Sequence, residues 1–414
     1  MSAGGWTGGQ LSIVRAALGA YVAFYLLRLV PHAPELFSRE GVLPDSGASP
    51  LIGLFPNVLG ALDSPAAVRL WLGAGSACAL ALAVGFRTRV FALLTWFVWA
   101  CLHGRNPLLA DAGVGWIGWL LLFVAALPQR PYGALSARGR VDPAGDWTFP
   151  RELFGTLWIV AAAGYLVSGL EKLTSPSWRN GTALLELLDG PLSYANGLAG
   201  ALEGLPAWLL MGASWGLMAF ELAFAPLSLS ARWRPRVWLV GLFLHAVAFG
   251  VIASPDAHVA RLLLHALLFH PTWLPDPVRA GQELVFYDGQ CGLCHGAVRW
   301  LIAEDTDGRR LRFAPIHGEA FRAAIPTELQ ADLPDSILVV TAEGELLDRS
   351  RAVQHLCRRL GGGWRILAWA SEVLPLALRD RLYDGLAKVR HRLFHVPDSP
   401  CPLLTPELIR RFDV

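Results

Sequence analysis

The sequence predicts an α-helical transmembrane bundle joined to a C-terminal α/β domain. Three observations carry this. The 414 residues are 54% hydrophobic and only 16% charged, with a mean hydropathy of +0.43, where an ordinary soluble domain carries about 25% charged residues. The charge is unevenly spread: residues 279–414 hold 36 charged positions out of 136, and residues 1–278 hold the other 32. Fourteen of the 17 Trp lie in the first segment, as aromatic belts at membrane surfaces require. The expected division is therefore a multi-pass membrane domain at 1–278 and a globular domain at 279–414.

Composition also excludes. A net charge of +2 leaves no basic footprint for nucleic acid, so none is expected as a partner; membrane lipid is. Six cysteines (Cys78, Cys101, Cys291, Cys294, Cys357 and Cys401) are too sparse for a disulfide scaffold. Only Lys172 and Lys388 among the 35 basic residues are lysine, a bias that fits a GC-rich bacterial genome.

A spanning helix needs about 20 mostly apolar residues. Eight segments qualify or come close: 10–31, 66–86, 89–104, 112–128, 152–172, 205–229, 235–253 and 257–273. The first has no basic start and no small-residue cleavage site, so it is expected to be retained. Arg87, Arg89, Arg130, Arg138, Arg140, Arg151, Arg232, Arg234 and Arg236 all fall on one side of this count. The positive-inside rule places that side, the N-terminus and, with eight spans, the C-terminal domain in the cytoplasm of a bacterial inner membrane. A re-entrant 257–273 would reverse the last assignment.

One polar motif interrupts the bundle at Ser168–Leu184. Lys172 can act as a base where desolvation lowers its pKa, or can simply snorkel to the interface. Glu221 and His245, inside later spans, either line a polar cavity with Lys172 or pair with each other. The residues Gly169-Leu170-Glu171-Lys172-Leu173, Trp178 and Gly181-Thr182-Ala183-Leu184 resemble the HTTM family, which includes vitamin K-dependent gamma-glutamyl carboxylase. The resemblance implies a base for Lys172 and a quinone or vitamin K-like molecule as its ligand. No cofactor follows from the residues themselves.

The C-terminal segment opens with an aromatic and β-branched run, Glu283–Tyr287, which reads as a strand. Asp288-Gly289-Gln290 breaks it, and Cys291-Gly292-Leu293-Cys294 follows. Ala297, Val298, Leu301 and Ile302 then recur at helical spacing. The Cys-x-x-Cys thus sits at a helix N-terminus, where unpaired N–H groups and the helix dipole favour an anion. An exposed Cys291 is expected to be the thiolate that attacks, with its pKa drawn from about 8.5 toward neutrality, and Cys294, one turn on, to close the disulfide. Half of a zinc site completed by His295 or His317 is the alternative; no metal is expected. Further strands are expected at 311–315, 336–341 and 345–348, and helices near 350–360, 364–373 and 375–394.

Tyr287-Asp288-Gly289-Gln290-Cys291-Gly292-Leu293-Cys294, Arg312-Phe313-Ala314-Pro315, Asp335-Ser336-Ile337, Leu374-Pro375, Arg379–Asp384 and Cys401-Pro402 resemble the DCC-type thiol–disulfide oxidoreductases. The resemblance implies a thioredoxin-like fold, Cys291 and Cys294 as the catalytic pair, Asp288 as its acidic residue, and a protein or small-molecule thiol or disulfide as substrate. The expected activity is that of a membrane-anchored thiol–disulfide oxidoreductase, linked to quinone-type chemistry near Lys172. The alternatives are a carboxylase-like or other membrane enzyme regulated by a redox domain, and a transporter or structural membrane protein with a redox sensor.

Overall fold

The computed structural model describes residues 5–274, 281–330, 333–393 and 404–413, with the backbone alone at 391–393. The expected boundary at 278/279 and the Cys401-Pro402 tail lie outside these residues. The chain is mostly helical, with a small mixed sheet in its C-terminal region. It divides into two compact units. One comprises residues 14–127 and 150–269; the other gathers 5–13, 128–149 and the described residues from 270 onward.

All eight expected spans are helices: α1 (Gly8–Leu29), α2 (Pro65–Ala83), α3 (Thr88–Arg105), α4 (Val114–Ala126), α5 (Arg151–Thr174), α6 (Ala207–Ser228), α7 (Arg234–Val251) and α8 (Pro255–Leu268); shorter helices between them are left unlabelled. Five, namely α1, α2, α5, α6 and α7, are long and apolar enough to cross a membrane. At 13 and 14 residues, α4 and α8 fall short. Proline sets several starts, because its missing N–H costs nothing in a first turn: Pro65, Pro235 and Pro255. Ser64 caps α2 by accepting the Ala67 N–H at 3.3 Å, as N-cap hydroxyls do. Within this unit α5 packs on α6, α3 on both α2 and α4, and α7 on α8.

The second unit is built on four strands, β1 (Glu283–Tyr287), β2 (Leu311–Pro315), β3 (Leu338–Val340) and β4 (Leu346–Asp348), in the order β2-β1-β3-β4. β1 runs parallel to β2 and antiparallel to β3, and β3 antiparallel to β4. Side chains alternate across a strand, so one face carries the row Phe313, Val285, Val339 and Leu347 and the other carries Ala314, Phe286 and Leu338. The first face is covered by α9 (Gly292–Glu304) through Val298, Leu301 and Ile302, and by α10 (Arg349–Leu360) through Ala352 and Leu356. The second is covered by Phe321 and Ile325. α11 (Gly362–Ser371) and α12 (Leu376–Leu393) follow. Glu283, buried at the start of β1, meets His355 at 2.8 Å and Arg359 at 3.3 Å on α10, which ties that helix to the sheet.

The membership of this unit departs from a single cut at 278. The loop 128–149 belongs to it: Tyr132 donates to the Gly296 carbonyl at 3.3 Å, and Arg299 donates to that of Arg140. So does the start of α1. There Glu304, at the end of α9, accepts from Thr7 Oγ1, from the Gly9 N–H at 3.0 Å and from Trp364 Nε1 at 2.5 Å. Gly9 is required for this approach, since a Cβ would sit 2.3 Å from the carboxylate. Charge patterning did not show these joins because they pair residues about 160 and about 300 positions apart.

Burial pushes the Glu304 carboxyl up to about 7, and the three donors oppose it. The folded value lies above the unfolded one. The associated stability is therefore full below pH 4.5 and is lost as pH rises through 7. The expected loss is on the order of 3 kcal/mol. Melting of the full chain against pH, with Glu304→Gln beside it, checks this: the difference between wild type and variant should move by that amount between pH 4.5 and 8. A constant difference would refute it.

Candidate functional site

β1 ends at Tyr287, and the chain turns through Asp288-Gly289-Gln290 into α9. Asp288 Oδ1 accepts the Gln290 N–H at 2.8 Å, an Asx turn that leaves Cys291 as the N-cap. Cys291 Sγ accepts the Cys294 N–H at 3.4 Å. The two thiols and an Asp288 oxygen all lie within 4.8 Å of one another. The three expected site residues of this domain are thus brought together.

Their exposure differs from expectation. Cys291 is buried, at 1% exposure, while Cys294 is half-buried and lines a cavity of about 190 Å³. The cavity lies between the apolar stripes of α9 (Leu293, Ala297, Leu301) and α12 (Leu386, Ala387). Cys294, not Cys291, is the sulfur at the cavity wall. Packing explains the correction: the N-cap position turns Cys291 inward beneath the first turn, and Cys294 falls on the stripe facing α12.

Burial pushes the Cys294 thiol well above its ordinary value. The adjacent Cys291 raises it further, and the Arg390 guanidinium draws it down. Arg390, on α12, was not singled out by the sequence. Its side chain is 3% exposed; it meets Asp288 Oδ2 at 3.2 Å and Asp335 Oδ1 at 2.5 Å, and it lines the cavity. Tyr383, on the same face, accepts the Ile337 N–H at 2.9 Å. One signal existed. Positions 383, 386, 387 and 390 follow helical spacing, and an arginine ending an otherwise apolar stripe needs a partner.

His295 does not serve the sulfurs through Nε2, which lies 3.1 Å from the Gly289 carbonyl. Asp288, Cys291 and Cys294 could also converge on a cation, and Arg390 already places a positive charge 3.2 Å from Asp288 Oδ2.

In the bundle, Lys172 Nζ lies 2.7 Å from Glu221 Oε2 and 2.9 Å from Ser168 Oγ, and 4.9 Å from the centre of the Trp178 ring. Tyr165 Oη joins His245 at 2.7 Å and His265 at 3.2 Å. Glu221 and His245 line one small cavity of about 30 Å³ with Ser168 and Arg261. Lys172 meets this cluster through Glu221 and Ser168 rather than as one of the cavity's walls. Breaking a buried ion pair leaves an uncompensated charge. Lys172→Met should therefore lower stability by about 3 kcal/mol, and Lys172→Met with Glu221→Leu should recover most of it. Melting of the four chains in detergent gives the coupling; additive losses would refute the pair.

Two adjacent thiols at a helix start, one buried and one at a cavity wall, exchange an electron pair by closing to a disulfide. That chemistry defines the class as thiol–disulfide exchange. A family model for DCC1-like thiol-disulfide oxidoreductases matches residues 285–396. The uncharacterized protein YuxK of Bacillus subtilis (strain 168) is 31% identical over 132 residues, which are 32% of this chain and 93% of that protein. A chloroplastic DCC family protein of Arabidopsis thaliana is 28% identical over 118 residues, which are 28% of this chain and 68% of that protein. No solved structure matches. Through its C-terminal region the chain belongs to the DCC1-like thiol–disulfide oxidoreductase family.

Proposed function

We propose that the protein is a membrane-anchored thiol–disulfide oxidoreductase whose C-terminal domain works on the cytoplasmic side upon a protein or small-molecule thiol or disulfide. The observation that carries the redox activity is the dithiol at the start of α9, with Cys294 at a cavity wall. In this reading Cys291 and Cys294 exchange the electron pair, and Asp288 holds both the turn before them and Arg390. The mixed sheet order β2-β1-β3-β4, with Cys-x-x-Cys directly after the central β1, supports a thioredoxin-like fold.

The anchoring rests on the five long apolar helices. The side rests on unit membership. Residues 5–13, the arginine-bearing loop 128–149 and the C-terminal domain share one compact unit, which supports a common side for all three. The arginines favour the cytoplasmic face.

The test uses the full chain in its membrane. Reduced protein is mixed with glutathione disulfide, and disulfide formation is followed; intact and lysed cells are labelled with an impermeant maleimide, and the Cys294 peptide is mapped. Closure of the Cys291–Cys294 disulfide that Cys291→Ser abolishes supports the activity; failure of the wild-type chain to close it would reject the activity. Labelling confined to lysed cells supports the side, and equal labelling would reverse it.

The Lys172–Glu221 pair beside Tyr165, His245 and His265 favours a second reading, an HTTM-like membrane enzyme regulated by the redox domain. A Lys172-dependent membrane activity that survives Cys291→Ser would select it.

A further inference from the structure

We propose that the corner between α11 and α12, together with one stripe of α12, docks on an anionic lipid surface. The inference rests on the membrane-anchored reading and adds the surface by which the C-terminal domain meets lipid. Three observations carry it.

The first is where the exposed apolar side chains fall. From β1 onward, thirteen large apolar side chains among the described residues are exposed, and ten of them lie between Ile366 and Val389. Single exposed leucines are ordinary, whereas a patch marks a contact. Its centre is Val373-Leu374-Pro375-Leu376-Ala377-Leu378, six apolar residues in a row and every one exposed. A water-facing surface avoids such a run unless it has a use.

The second is the pattern on α12. Leu378, Leu382, Leu386 and Val389 are all exposed. They recur at i, i+4, i+8 and i+11, which is one narrow stripe of a helix, and the stripe begins at the corner. Another edge of α12 faces its own domain. There Asp380 accepts from Ser350 Oγ, and Asp384 meets Arg349 at 3.1 Å, both partners on α10.

The third is charge. The two acids of α12 are thus both engaged by α10. Arg381 and Lys388, seven positions apart and so on one face, lie beside the stripe. Both are exposed, and their side chains have no partner among the described residues. Trp369, half exposed on α11, stands at the rim. Leucines in a stripe, unpaired cations along its edge and an indole nearby are the pattern of a helix that lies in a lipid interface. A second copy fits less well, because a two-fold contact would set the same cations against each other. Lipid is also within this domain's reach, since the same chain carries five helices apolar enough to cross a membrane. Leu386 belongs both to the stripe and to the wall of the cavity beside Cys294, so the docked face and the dithiol share one helix.

The full chain, reconstituted in vesicles of phosphatidylcholine and phosphatidylglycerol, tests this with a phospholipid that carries a diazirine on its acyl chain. Irradiation and peptide mapping should place label on residues 366–389, and on the α5 and α6 peptides that serve as the control. Arg381→Gln with Lys388→Gln removes two charges, each worth about fivefold at an anionic surface, and should lower the label on 366–389 by more than about fivefold with the control unchanged. Omitting phosphatidylglycerol should do the same to the wild-type chain. Leu378→Asp with Leu382→Asp should abolish the label there. Melting curves and closure of the Cys291–Cys294 disulfide in detergent check that both double variants fold. Label on α5 and α6 with none on 366–389 overturns the docking and leaves the anchoring standing. No label on any of the three overturns both. Label on 366–389 that neither double variant lowers also overturns the proposal. So does a dimer in detergent that Leu378→Asp with Leu382→Asp breaks, since a second copy then covers the stripe.

Discussion

Cys291→Ser will trap an external disulfide on Cys294, and Cys294→Ser will trap nothing on Cys291. Both variants will lose dithiol turnover by at least about a thousandfold, since closing a disulfide needs two sulfurs. The trap is what separates them. Cys291 is buried beneath the first turn of α9, and Cys294 stands at the cavity wall, so only Cys294 is open to the incoming sulfur. Removing Cys291 also removes a cause that holds the Cys294 thiol up and leaves Arg390 to draw it down, so Cys294 becomes the more reactive for it. Glutathione disulfide, followed by mass spectrometry of the intact chain, reads the outcome. One adduct on Cys291→Ser and none on Cys294→Ser is expected. Equal trapping on Cys291 would restore the order that the motif alone suggests, with Cys291 attacking first.

That order shows what the sequence does and does not reveal. The motif, its strand and its helix are local, and all four strands and the three C-terminal helices fall within a few residues of where periodicity puts them. Alternation gives both faces of β1 because Val285 and Phe286 need opposite partners. Which sulfur is covered is not local. It depends on α12, about 90 residues on, whose stripe from Tyr383 to Arg390 forms the wall opposite Cys294. Arg379, Arg381, Arg390 and Arg392 look alike as letters, and only the fold puts Arg390 on Asp288. The same holds for Glu304, which reads as the polar end of α9 until Thr7 and Gly9 arrive from the other end of the chain. In the bundle, helix positions followed from hydropathy. The Lys172–Glu221 pair, by contrast, joins α5 to α6 across 49 positions, and hydropathy carries no information on such a pairing.

Arg390→Met will both destabilise the domain and slow its cavity-facing thiol. The guanidinium joins two turns: Asp288, before the cysteine pair, at 3.2 Å, and Asp335, before β3, at 2.5 Å, with a further bond to the Asp335 carbonyl at 3.1 Å. Methionine keeps much of the buried stem and removes every donor, leaving Asp288 half-buried without its cation. Breaking a buried pair in this way costs about 3–5 kcal/mol; Asp335 is largely exposed and loses little, which favours the lower end. The second effect has a definite sign. Arg390 draws the Cys294 thiol down against burial and against Cys291, so its loss moves that thiol further up. Fewer chains then carry the thiolate at a given pH, and alkylation slows by about tenfold for each unit of displacement. Arg390→Lys should recover part of the charge effect and less of the stability, because a single ammonium cannot bridge two carboxylates in the planar geometry of a guanidinium. Alkylation of Cys294 against pH, alongside urea unfolding of the same chains, separates the two roles. A profile displaced upward in Arg390→Met and partly restored in Arg390→Lys makes Arg390 the positioning residue of the dithiol. Lost stability with an unmoved profile would reduce it to a structural tie between the two turns.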